Sequence, residues 1–512
     1  MISAYTGTQI RTVEQRLLDS SLGTGVGAVL MQRAAYGLAN AVVREVQARG
    51  GRLYGASVTV LAGKGNNGGD GLFAAAMLAR RGMRTTAVLT AGEAHPEGLA
   101  AFEAAGGRVL RLTSENVAVA AAAAAGAGVV IDAVLGTGAQ GGLRGPAAAL
   151  MDALIEAPGH THPGLVVACD IPSGVDADTG VAHAPVLGAD ITVTFGAAKA
   201  GLLADPGADF AGRVQIIPIG IEAALPEPAL RRFEAEDLTE LLPHPGRRSH
   251  KYSRGVLGVV AGSQRYPGAA VLACRGALAS GVGMVRYLGP PDVADLVRRS
   301  CPEVVCDAGS VADAHVQAWL LGPGLDDQAH EQLARVRDAA ATGLPVVADA
   351  GALPALPRAL APQFVLTPHA GELAGLLARY GAERGRPEVE DATLAAARRA
   401  GELTGATVLL KGATTLVAAP SGTVFSQAEA TPWLATAGSG DVLAGVLGSL
   451  LAQLAENSGA FAAHGIPGAD RWAAIAALAA SVHGRAGSRA SRGGPVTASD
   501  VATSVREVMT KV

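Results

Sequence analysis

The 512-residue chain carries little charge and no long run of one sign. Charged residues make up 17% of it, and the formal net charge is −4. Without a basic run the chain lacks the electrostatic footprint of nucleic-acid binding, so we expect no nucleic-acid partner. Hydrophobic residues make up 49%, which excludes a disordered chain. At roughly 100–200 residues per domain, the length predicts about three domains or two large ones.

Cysteine is scarce, and no secretory or membrane segment is visible. Four cysteines in a chain of this length form no disulfide framework and no C-x-x-C zinc pair: Cys169, Cys274, Cys301 and Cys306. The opening residues, MISAYTGTQIRTVEQR, lack the apolar region of a secretory signal. The longest uncharged apolar stretch, Val117–Ile131, is shorter than a membrane span. We therefore expect a soluble, cytoplasmic protein with no membrane partner.

Lysine is also scarce, because five of the 41 basic residues are lysine and the other 36 are arginine. A compact ammonium binds ligands differently from a planar guanidinium, so each lysine is a candidate functional residue. Four of the five lie inside or beside glycine-rich or polar motifs: Lys64, Lys199, Lys251 and Lys411.

Apolar β-branched runs alternate with Ala- and Leu-rich helical stretches from about Ser57 onward. The runs are SVTVLAG, TTAVLT, GVVID, LVVACD, ITVTF and VQIIPI. Continuous apolar strands separated by helices indicate a parallel sheet that is covered on both faces. We predict one doubly wound α/β domain over residues 1–222, with a helical lead-in at its start.

The composition changes over residues 223–245, which are dense in Pro and charge and contain no convincing strand, so we predict a linker there. A second α/β alternation over 246–512 begins with GVLGVVAGS and ends with helices after Asp441 and Asp470. Its segment Asn457–Pro467 is predicted to be a surface loop because of its Gly, Pro and Ser content. We detect no repeat between the halves, so two different folds of one class are expected.

Three polar loops follow predicted strands in the first half: GKGNNGGDG at 63–71, GTGAQGG at 136–142 and DIPSGVD at 170–176. The first contains the G-x-G-x-x-G spacing, with which backbone N–H groups approach a phosphate. That spacing alone also fits a plain tight turn. Because ligands collect at the carboxyl ends of parallel strands, the three loops together predict one site.

GKGNNGGDG, D-x-x-L-G-T-G, DIPSGVD and TFGAAKAGL together resemble the NAD(P)H-hydrate epimerases over roughly residues 1–222. The resemblance implies a Rossmann-like domain that interconverts the R and S epimers of NADHX and NADPHX, the hydrated nicotinamide dinucleotides. It implies a potassium ion (K⁺) with oxygen ligands, which suit a hard cation, from Asn67, Asp132 and Ser173. The dinucleotide-binding residues that it implies are Asn66, Asn67, Gly68, Gly69, Asp70, Gly136, Thr137, Gly138, Ala139, Gln140, Gly141, Gly142 and Asp170.

Epimerisation at a hydroxylated ring carbon requires a proton to be moved, for which a carboxylate at a strand end is sufficient. Asp170 and Asp132 both meet this requirement, and the sequence does not choose between them. Either carboxylate could instead cap a helix or form an Asx-turn. A non-catalytic nucleotide-binding module is the alternative for this half.

The second half contains TAGSGDVLAG at 436–445. Small residues that open a helix leave several N–H groups free to converge on a developing anion. Asp441 is placed to take a proton from a substrate hydroxyl, although an Asp is also favoured there as a cap. The motif resembles the ribokinase-like superfamily, in which the Gly-x-Gly-Asp turn holds the transferred phosphoryl group.

PGAA at 267–270, GPG at 322–324, TPHAGE at 367–372 and LKG at 410–412 resemble the ADP/ATP-dependent NAD(P)H-hydrate dehydratases from about residue 236 onward. The implied hydrate contacts are Ala270, Gly324, His369 and Asp441. The implied ADP contacts are Lys411, Gly412, Ala413, Thr414, Thr415 and Gly440. The implied chemistry is phosphorylation of the ring hydroxyl followed by loss of phosphate, with magnesium (Mg²⁺) bridging the phosphates and Glu372 near it.

The sequence thus predicts a bifunctional isomerase and lyase with a Rossmann-like and a ribokinase-like α/β domain. It epimerises R- and S-NAD(P)HX and dehydrates S-NAD(P)HX to NAD(P)H at the expense of ADP, giving AMP and phosphate; the motifs also accept ATP. The alternative is a vitamin-precursor kinase of the ribokinase superfamily fused to a nucleotide-binding module. AEATPWL at 428–434 departs from the family pattern and leaves contacts from that segment open. A homo-oligomer is expected.

Overall fold

The computed structural model describes residues 1–20, 26–156, 164–307 and 309–511. The chain divides into two compact units, an N-terminal unit of residues 3–229 and a C-terminal unit of residues 230–512 that also includes residues 1–2. Across the described ranges, no helix combines the length and the apolar character that crossing a membrane requires.

The N-terminal unit alternates strands and helices. Its elements are β1 (Ile2–Tyr5), α1 (Gly7–Ser20), α2 (Val26–Ala48), β2 (Ser57–Ala62), α3 (Asn66–Arg80), β3 (Arg84–Leu89), α4 (Pro96–Ala104), β4 (Arg108–Arg111), α5 (Val117–Ala125), β5 (Val129–Ala133), α6 (Gly145–Ile155), β6 (Val166–Cys169), β7 (Ile191–Phe195), β8 (Ala198–Lys199), α7 (Gly207–Ala211) and β9 (Arg213–Ile217).

Seven strands form a parallel sheet in the order β4-β3-β2-β5-β6-β7-β9. Successive residues of β2 face opposite sides: Val60 belongs to one hydrophobic cluster and Leu61 to another. This doubly wound arrangement and strand order are those of a Rossmann-type sheet, which confirms the predicted fold of the first half. The order reverses between β2 and β5, and such reversals open a ligand crevice at the strands' carboxyl ends.

The predicted helical lead-in is confirmed as α1 and α2, but a strand precedes it. β1 pairs in parallel with β8, and Tyr5 lies opposite Lys199 in the register. The sequence analysis missed both strands because segments of four and two residues are too short to show a period of two.

The C-terminal unit is also built of alternating strands and helices. Its elements are β10 (Leu230–Arg232), α8 (Ala235–Leu241), β11 (Val256–Val260), α9 (Pro267–Ala279), β12 (Met284–Tyr287), α10 (Pro291–Ser300), β13 (Val305–Cys306), β14 (Ala318–Leu321), α11 (His330–Ala340), β15 (Val346–Ala348), β16 (Phe364–Leu366), α12 (Ala370–Arg379), α13 (Arg386–Glu390), α14 (Thr393–Thr404), β17 (Thr407–Leu410), β18 (Thr415–Ala418), β19 (Val424–Gln427), α15 (Ser439–Leu454), α16 (Ser458–Ala463), α17 (Arg471–Ser491) and α18 (Ala498–Lys511).

Ten strands of this unit follow the order β13-β12-β11-β14-β15-β16-β17-β18-β19-β10. The sheet is parallel from β13 to β17, and β17, β18 and β19 then form an antiparallel meander. The structure therefore confirms a second α/β domain, with the strand ends of β15, β16 and β17 adjacent at one edge.

The segment 223–245 is more ordered than a linker. It contains β10, which pairs in parallel with β19, and α8, whose start is capped by Glu234 and Asp237. Phe233 is buried and stacks on Phe425 with ring centroids 5.1 Å apart. The prediction that no strand lies here was wrong, because a three-residue strand is hidden by the surrounding Pro and charge.

The segment Asn457–Pro467 is not a plain surface loop. It forms α16, in which Phe461 is fully buried, and Ile466 is buried just after it. The Gly and Ser content favoured a loop, whereas the two apolar side chains pack into the core of the C-terminal unit.

Close packing of α9 against α15 fixes the start of α15. A Cβ at Gly445 would lie 2.1 Å from the carbonyl oxygen of Ala273, and one at Gly276 would lie 2.5 Å from that of Val442. Only glycine allows this approach, so the helix that begins at Ser439 is held tightly against its neighbour.

Candidate active sites

A cavity of about 920 Å³ lies at the carboxyl ends of β2, β5 and β6 in the N-terminal unit. It is lined by nine of the predicted dinucleotide residues: Asn66, Asn67, Asp70, Gly136, Thr137, Gly138, Ala139, Gly142 and Asp170. Four others do not line it: Gly68, Gly69, Gln140 and Gly141. The structure therefore brings all three predicted loops to one cavity.

The glycines of the first loop have a packing role. A Cβ at Gly63 would lie 2.0 Å from the carbonyl oxygen of Val134, and one at Gly68 would lie 2.0 Å from that of Gly63. Neither position accepts a side chain, so the loop can fold back on itself and start α3 beside the cavity. The residue before the helix, Gly65, provides no side-chain cap, which leaves first-turn N–H groups for an anion.

The three predicted potassium ligands lie close together, with Asn67 in the lining of this cavity and Asp132 and Ser173 beneath it. The Asp132 carboxylate is 1% exposed and accepts hydrogen bonds from Ser173 N at 2.8 Å and Ser173 Oγ at 2.6 Å. Asn67 Nδ2 donates to the carbonyl oxygen of Leu135 at 3.0 Å, and Leu135 N donates to Ser173 Oγ at 2.9 Å. Neither Asp132 nor Ser173 lines the cavity itself.

The oxygen atoms of this donor set fit a hard cation. Burial raises the pKa of Asp132, although hydrogen bonds from Ser173 and Val134 oppose the shift. Within the described ranges no basic side chain pairs with Asp132, and a buried carboxylate without a counterion is costly. Carboxylate, hydroxyl and amide oxygens around it match the preferences of a hard cation.

Asp170, which follows β6, forms an ion pair with Lys199 at the cavity wall. Lys199 Nζ lies 2.5 Å from Asp170 Oδ1, and its side chain is 1% exposed. Thr194 Oγ1, Phe195 N and Thr137 Oγ1 also donate to the same carboxylate. Burial alone would raise the pKa of Asp170, but the Lys199 charge and these hydrogen bonds outweigh it and hold the pKa below its usual value.

The backbone of Asp170 is also unusual, because its φ of 68° places a non-glycine residue in the left-handed region. Such strain persists only where the surroundings impose it, and it concentrates at functional sites. Lys199 is held equally firmly, since its ammonium also donates to Thr194 Oγ1 at 3.0 Å and to the carbonyl oxygen of Phe195 at 2.9 Å.

The sequence analysis assigned no site role to five charged residues that line the cavity: Arg11, Glu14, Lys64, Arg144 and Lys199. Lys199 carried a signal, because lysine is scarce and this one lies in TFGAAKAGL. Glu14 and Arg11 on α1 carried none, since they belong to a helix far from the motifs in sequence.

In the C-terminal unit, Lys411 at the end of β17 is surrounded by carboxylates. Its Nζ lies 2.8 Å from Asp349 Oδ1 and 3.7 Å from Glu372 Oε2. Thr367 Oγ1 also donates to Asp349 Oδ1 at 2.8 Å. Burial would lower the pKa of Lys411, but the charges of Asp349 and Glu372 outweigh it and raise the pKa.

Asp441 lies in the first turn of α15, next to this cluster. Burial, together with the negative charge of Asp349, raises its pKa to about 6, although Lys411 opposes the shift. A carboxyl group with a pKa near neutrality suits a general base. A Cβ at Gly440 would lie 3.6 Å from Lys411 Nζ, so the structure joins the predicted nucleotide contacts to the predicted catalytic residue.

His369 and Glu372 form the N-terminal cap of α12. His369 Nδ1 accepts hydrogen bonds from the backbone of Gly371 at 3.0 Å and Glu372 at 3.2 Å, and Glu372 Oε2 accepts from His369 N at 2.8 Å. The imidazole is 57% exposed. The cap orients the ring, and its Nε2 lies 3.7 Å from Glu372 Oε2.

The other predicted contacts differ in exposure. Ala270 is fully buried, with its Cβ packed under Gly262, so its side chain does not face an open site. Gly324 adopts a φ of 68° close to Ala269. Of the predicted ADP contacts, Thr414 is 4% exposed. Lys411 and Thr415 are half-buried, and Gly412 and Ala413 are exposed.

Two features of this site were missed from the sequence. His483 on α17 is buried with its Nε2 3.3 Å from Ser439 Oγ, and burial lowers its pKa to about 4, so it is neutral at pH 7. The segment 428–434 is tied to the same helix, because Glu429 Oε1 accepts from Ser481 Oγ at 2.6 Å and pairs with Arg485 at 3.3 Å.

Comparisons with known proteins agree with this two-site organisation. A family model described as NAD(P)H-hydrate dehydratase matches residues 257–508, and one described as YjeF-related protein N-terminus matches residues 27–201. The bifunctional NAD(P)H-hydrate repair enzyme Nnr of Mycobacterium leprae is 42% identical over 458 residues, which cover 88% of this chain and 89% of that protein. The protein of the same name from Moorella thermoacetica is 34% identical over 504 residues, with 91% and 88% covered.

Among solved structures, an ADP/ATP-dependent NAD(P)H-hydrate dehydratase from Bacillus subtilis, co-crystallised with ATP and Mg²⁺, is 25% identical. It covers 55% of this chain and 98% of its own, with a TM-score of 0.46.

Proposed function

This chain belongs to the family of bifunctional NAD(P)H-hydrate repair enzymes, and on that premise we propose which of its residues carry the two activities. It is an NAD(P)H-hydrate epimerase in its N-terminal part and an adenine-nucleotide-dependent NAD(P)H-hydrate dehydratase in its C-terminal part. The first activity interconverts R- and S-NAD(P)HX, and the second converts S-NAD(P)HX to NAD(P)H.

The epimerase substrate binds in the cavity of the N-terminal unit, with its pyrophosphate at the uncapped start of α3. The observation that supports this placement is the Asp170–Lys199 ion pair in the wall of a cavity of about 920 Å³, a size typical of small-molecule sites. Asp170 faces the substrate, whereas Asp132 is buried beneath the cavity. We therefore assign Asp170 to the substrate and Asp132 to the cation.

Potassium is held by Asn67, Asp132 and Ser173. When bound, it supplies a fixed positive charge that offsets the Asp132 carboxylate and the negative charge of the substrate phosphates. The chain's own contribution is to hold Ser173 and Asn67 in place through Leu135, whose backbone bonds to both side chains.

In the dehydratase site, Asp441 accepts the proton of the substrate's ring hydroxyl, while the hydroxyl oxygen attacks the terminal phosphoryl group of ADP. The C–O bond then breaks, phosphate leaves with the bonding electron pair, and the neighbouring ring carbon gives up a proton to water. The double bond of NAD(P)H is thereby restored, and AMP is the other product. N–H groups at the start of α15 stabilise the transferred phosphoryl group. Lys411 to Thr415 and Gly440 bind the nucleotide, and Gly324 and His369 contact the hydrate. Ala270 is fully buried and supports this site by packing under Gly262.

Magnesium fits the carboxylates beside Lys411. Asp349 and Glu372 offer oxygen ligands of the kind that Mg²⁺ prefers, next to the lysine that would contact the same phosphates. When bound, Mg²⁺ neutralises phosphate charge during transfer. A homo-oligomeric state and a cytoplasmic location stay predictions from the sequence.

The dehydratase proposal is tested with purified S-NADHX and ADP. We expect NADH, AMP and phosphate to form in equal amounts, and we expect ATP to be a poorer donor. A phosphorylated product that accumulates without NADH would instead support the kinase alternative.

A further inference from the structure

The epimerase cavity contains a carboxyl group that the assignments above leave without a role. Glu14 projects from α1 into the cavity that also holds Asp70 and Asp170. Within the described ranges, the side-chain carboxyl groups of Glu14 and Asp70 make no hydrogen bond or ion pair, whereas the carboxylate of Asp170 accepts four hydrogen bonds. The cavity thus combines one fixed carboxylate with two free carboxyl groups.

Asp170 is poorly suited to carry a proton. All of its hydrogen-bond donors and the Lys199 ammonium favour the ionised form, so its pKa lies below the usual range. A general acid or base works best when its pKa is near the working pH. Asp170 is better suited to stabilise positive charge on the substrate, because it stays anionic throughout.

Glu14 has the opposite environment. Burial first, and then the charge of Asp170, raise the pKa of Glu14, while Lys199 and Arg11 act against the shift. Burial together with the charges of Asp170 and Glu14 raises the pKa of Asp70 well above its usual value. Glu14 titrates beside Asp170, Lys199 and Arg11, and its own negative charge helps Asp70 to keep its proton.

We propose that Glu14 is a catalytic residue of the epimerase, the group that delivers a proton to the substrate hydroxyl and takes it back. This inference rests on the proposed epimerase function of the cavity. Asp170 and Lys199 then act as a fixed ion pair, and the negative charge of Asp170 favours the protonated form of Glu14.

The proposed proton transfer acts on the hydroxyl group of the hydrated ring. Water adds to the enamine double bond of a dihydropyridine with its oxygen on the carbon bonded to the ring nitrogen. In the reverse direction Glu14 gives its proton to that hydroxyl, the C–O bond breaks with its electrons on oxygen, and water and a planar iminium ion form. Water then adds to the other face of the carbon, and the Glu14 carboxylate takes the released proton.

The epimerase rate should depend on pH, because only the protonated form of Glu14 can give a proton to the hydroxyl. The rate is expected to fall as pH rises through the raised pKa of Glu14, since the carboxylate has no proton to give. The other charged groups that line the cavity are Arg11, Lys64, Asp70, Arg144, Asp170 and Lys199.

The test measures conversion of R-NADHX to S-NADHX without ADP, by separating the epimers, for the full-length wild type and Glu14→Gln across a pH series. We expect kcat to fall by about 10²–10⁴-fold with KM nearly unchanged, and the fall in rate at high pH to disappear. Glu14→Asp should recover part of the rate. Asp19→Asn, which removes an exposed charge from the same helix, is the matched control and should behave as the wild type.

Folding of Glu14→Gln is checked by its dehydratase activity on S-NADHX and by its thermal unfolding. If the variant loses structure, Arg11→Gln takes its place, and we expect the fall in rate to shift to higher pH because a positive charge that lowers the pKa of Glu14 has been removed. A Glu14→Gln enzyme with wild-type kcat and an unchanged pH profile would overturn the assignment of Glu14. A wild type that does not accelerate the conversion would instead overturn the epimerase function of the cavity.

Discussion

Each unit of this protein places a lysine against an aspartate at the carboxyl end of a parallel sheet, and the two pairs differ in accessibility. Lys199 and Asp170 are 1% and 12% exposed, and every donor of the ammonium is engaged. Lys411 is 22% exposed and lies among Asp349, Glu372 and Asp441. The enclosed lysine keeps Asp170 ionised. We propose that the more exposed Lys411 exchanges its carboxylate partners for phosphate.

The pKa values of the neighbouring carboxyl groups differ accordingly. Asp170 is held ionised by its own lysine, whereas Asp441 is raised to about 6 by burial and by Asp349. An ionised carboxylate stabilises a cation, and a carboxyl group that titrates near neutrality can take up a proton. We therefore propose that the same pair of residue types serves an epimerisation in one unit and a phosphoryl transfer in the other.

The largest effect is expected from Lys199→Met, which breaks the enclosed pair. Asp170 would remain buried without its counterion, so the epimerase should be lost and the N-terminal unit should be destabilised by about 3–5 kcal/mol. Urea unfolding monitored together with R-NADHX conversion measures both. Lys64→Met removes an exposed lysine from the same cavity, and it should leave the unfolding midpoint unchanged.

If the urea midpoint of Lys199→Met equals that of the wild type, the Lys199–Asp170 ion pair does not stabilise the N-terminal unit. If it is destabilised but retains full kcat, Asp170 does not need its lysine for catalysis.

Asp441→Asn tests the dehydratase site and leaves the Lys199–Asp170 pair of the epimerase site unchanged. The amide cannot accept the hydroxyl proton, so NADH formation from S-NADHX and ADP should fall by about 10²–10⁴-fold. Conversion of R- to S-NADHX by the same preparation should stay at the wild-type rate, which also shows that the chain is folded. An unchanged dehydratase rate would contradict the role of Asp441.

A smaller effect is expected on the pH profile of the dehydratase. Asp441 must be deprotonated to act as a base, so the rate should rise with pH through about 6. Asp349→Asn removes a negative charge that raises this pKa, and the rise should move to lower pH. Rates of NADH formation from pH 5 upward measure the shift, and a rise displaced to higher pH would show that the carboxylates are not coupled in this way.

Much of the fold was predictable because long apolar strands alternate with helices. β2, β5 and β6 were predicted within a residue or two, and their carboxyl ends carry the motifs that line the cavity. β1, β8 and β10 were missed because strands of two to four residues carry no periodic signal. The start of α16 was missed because its Gly and Ser content outweighed Phe461.

The candidate sites were predictable only where a motif concentrates their residues. Asn67, Asp132 and Ser173 were assigned as a set, and they lie together in the structure. Glu14 and His483 were missed, because each reaches its site from a helix that carries no motif. Ala270 was assigned from a motif, but its side chain is buried in packing, which sequence alone does not distinguish from ligand contact.

The central claim is that one chain carries two activities at two separate sites, and mixed R- and S-NADHX with excess ADP tests it most directly. We expect the wild type to convert both epimers to NADH. The Lys199→Met variant should consume the S epimer quickly and then form NADH only as fast as the R epimer epimerises without catalysis. A wild type that leaves the R epimer behind, or a Lys199→Met variant that consumes both at the wild-type rate, would contradict it.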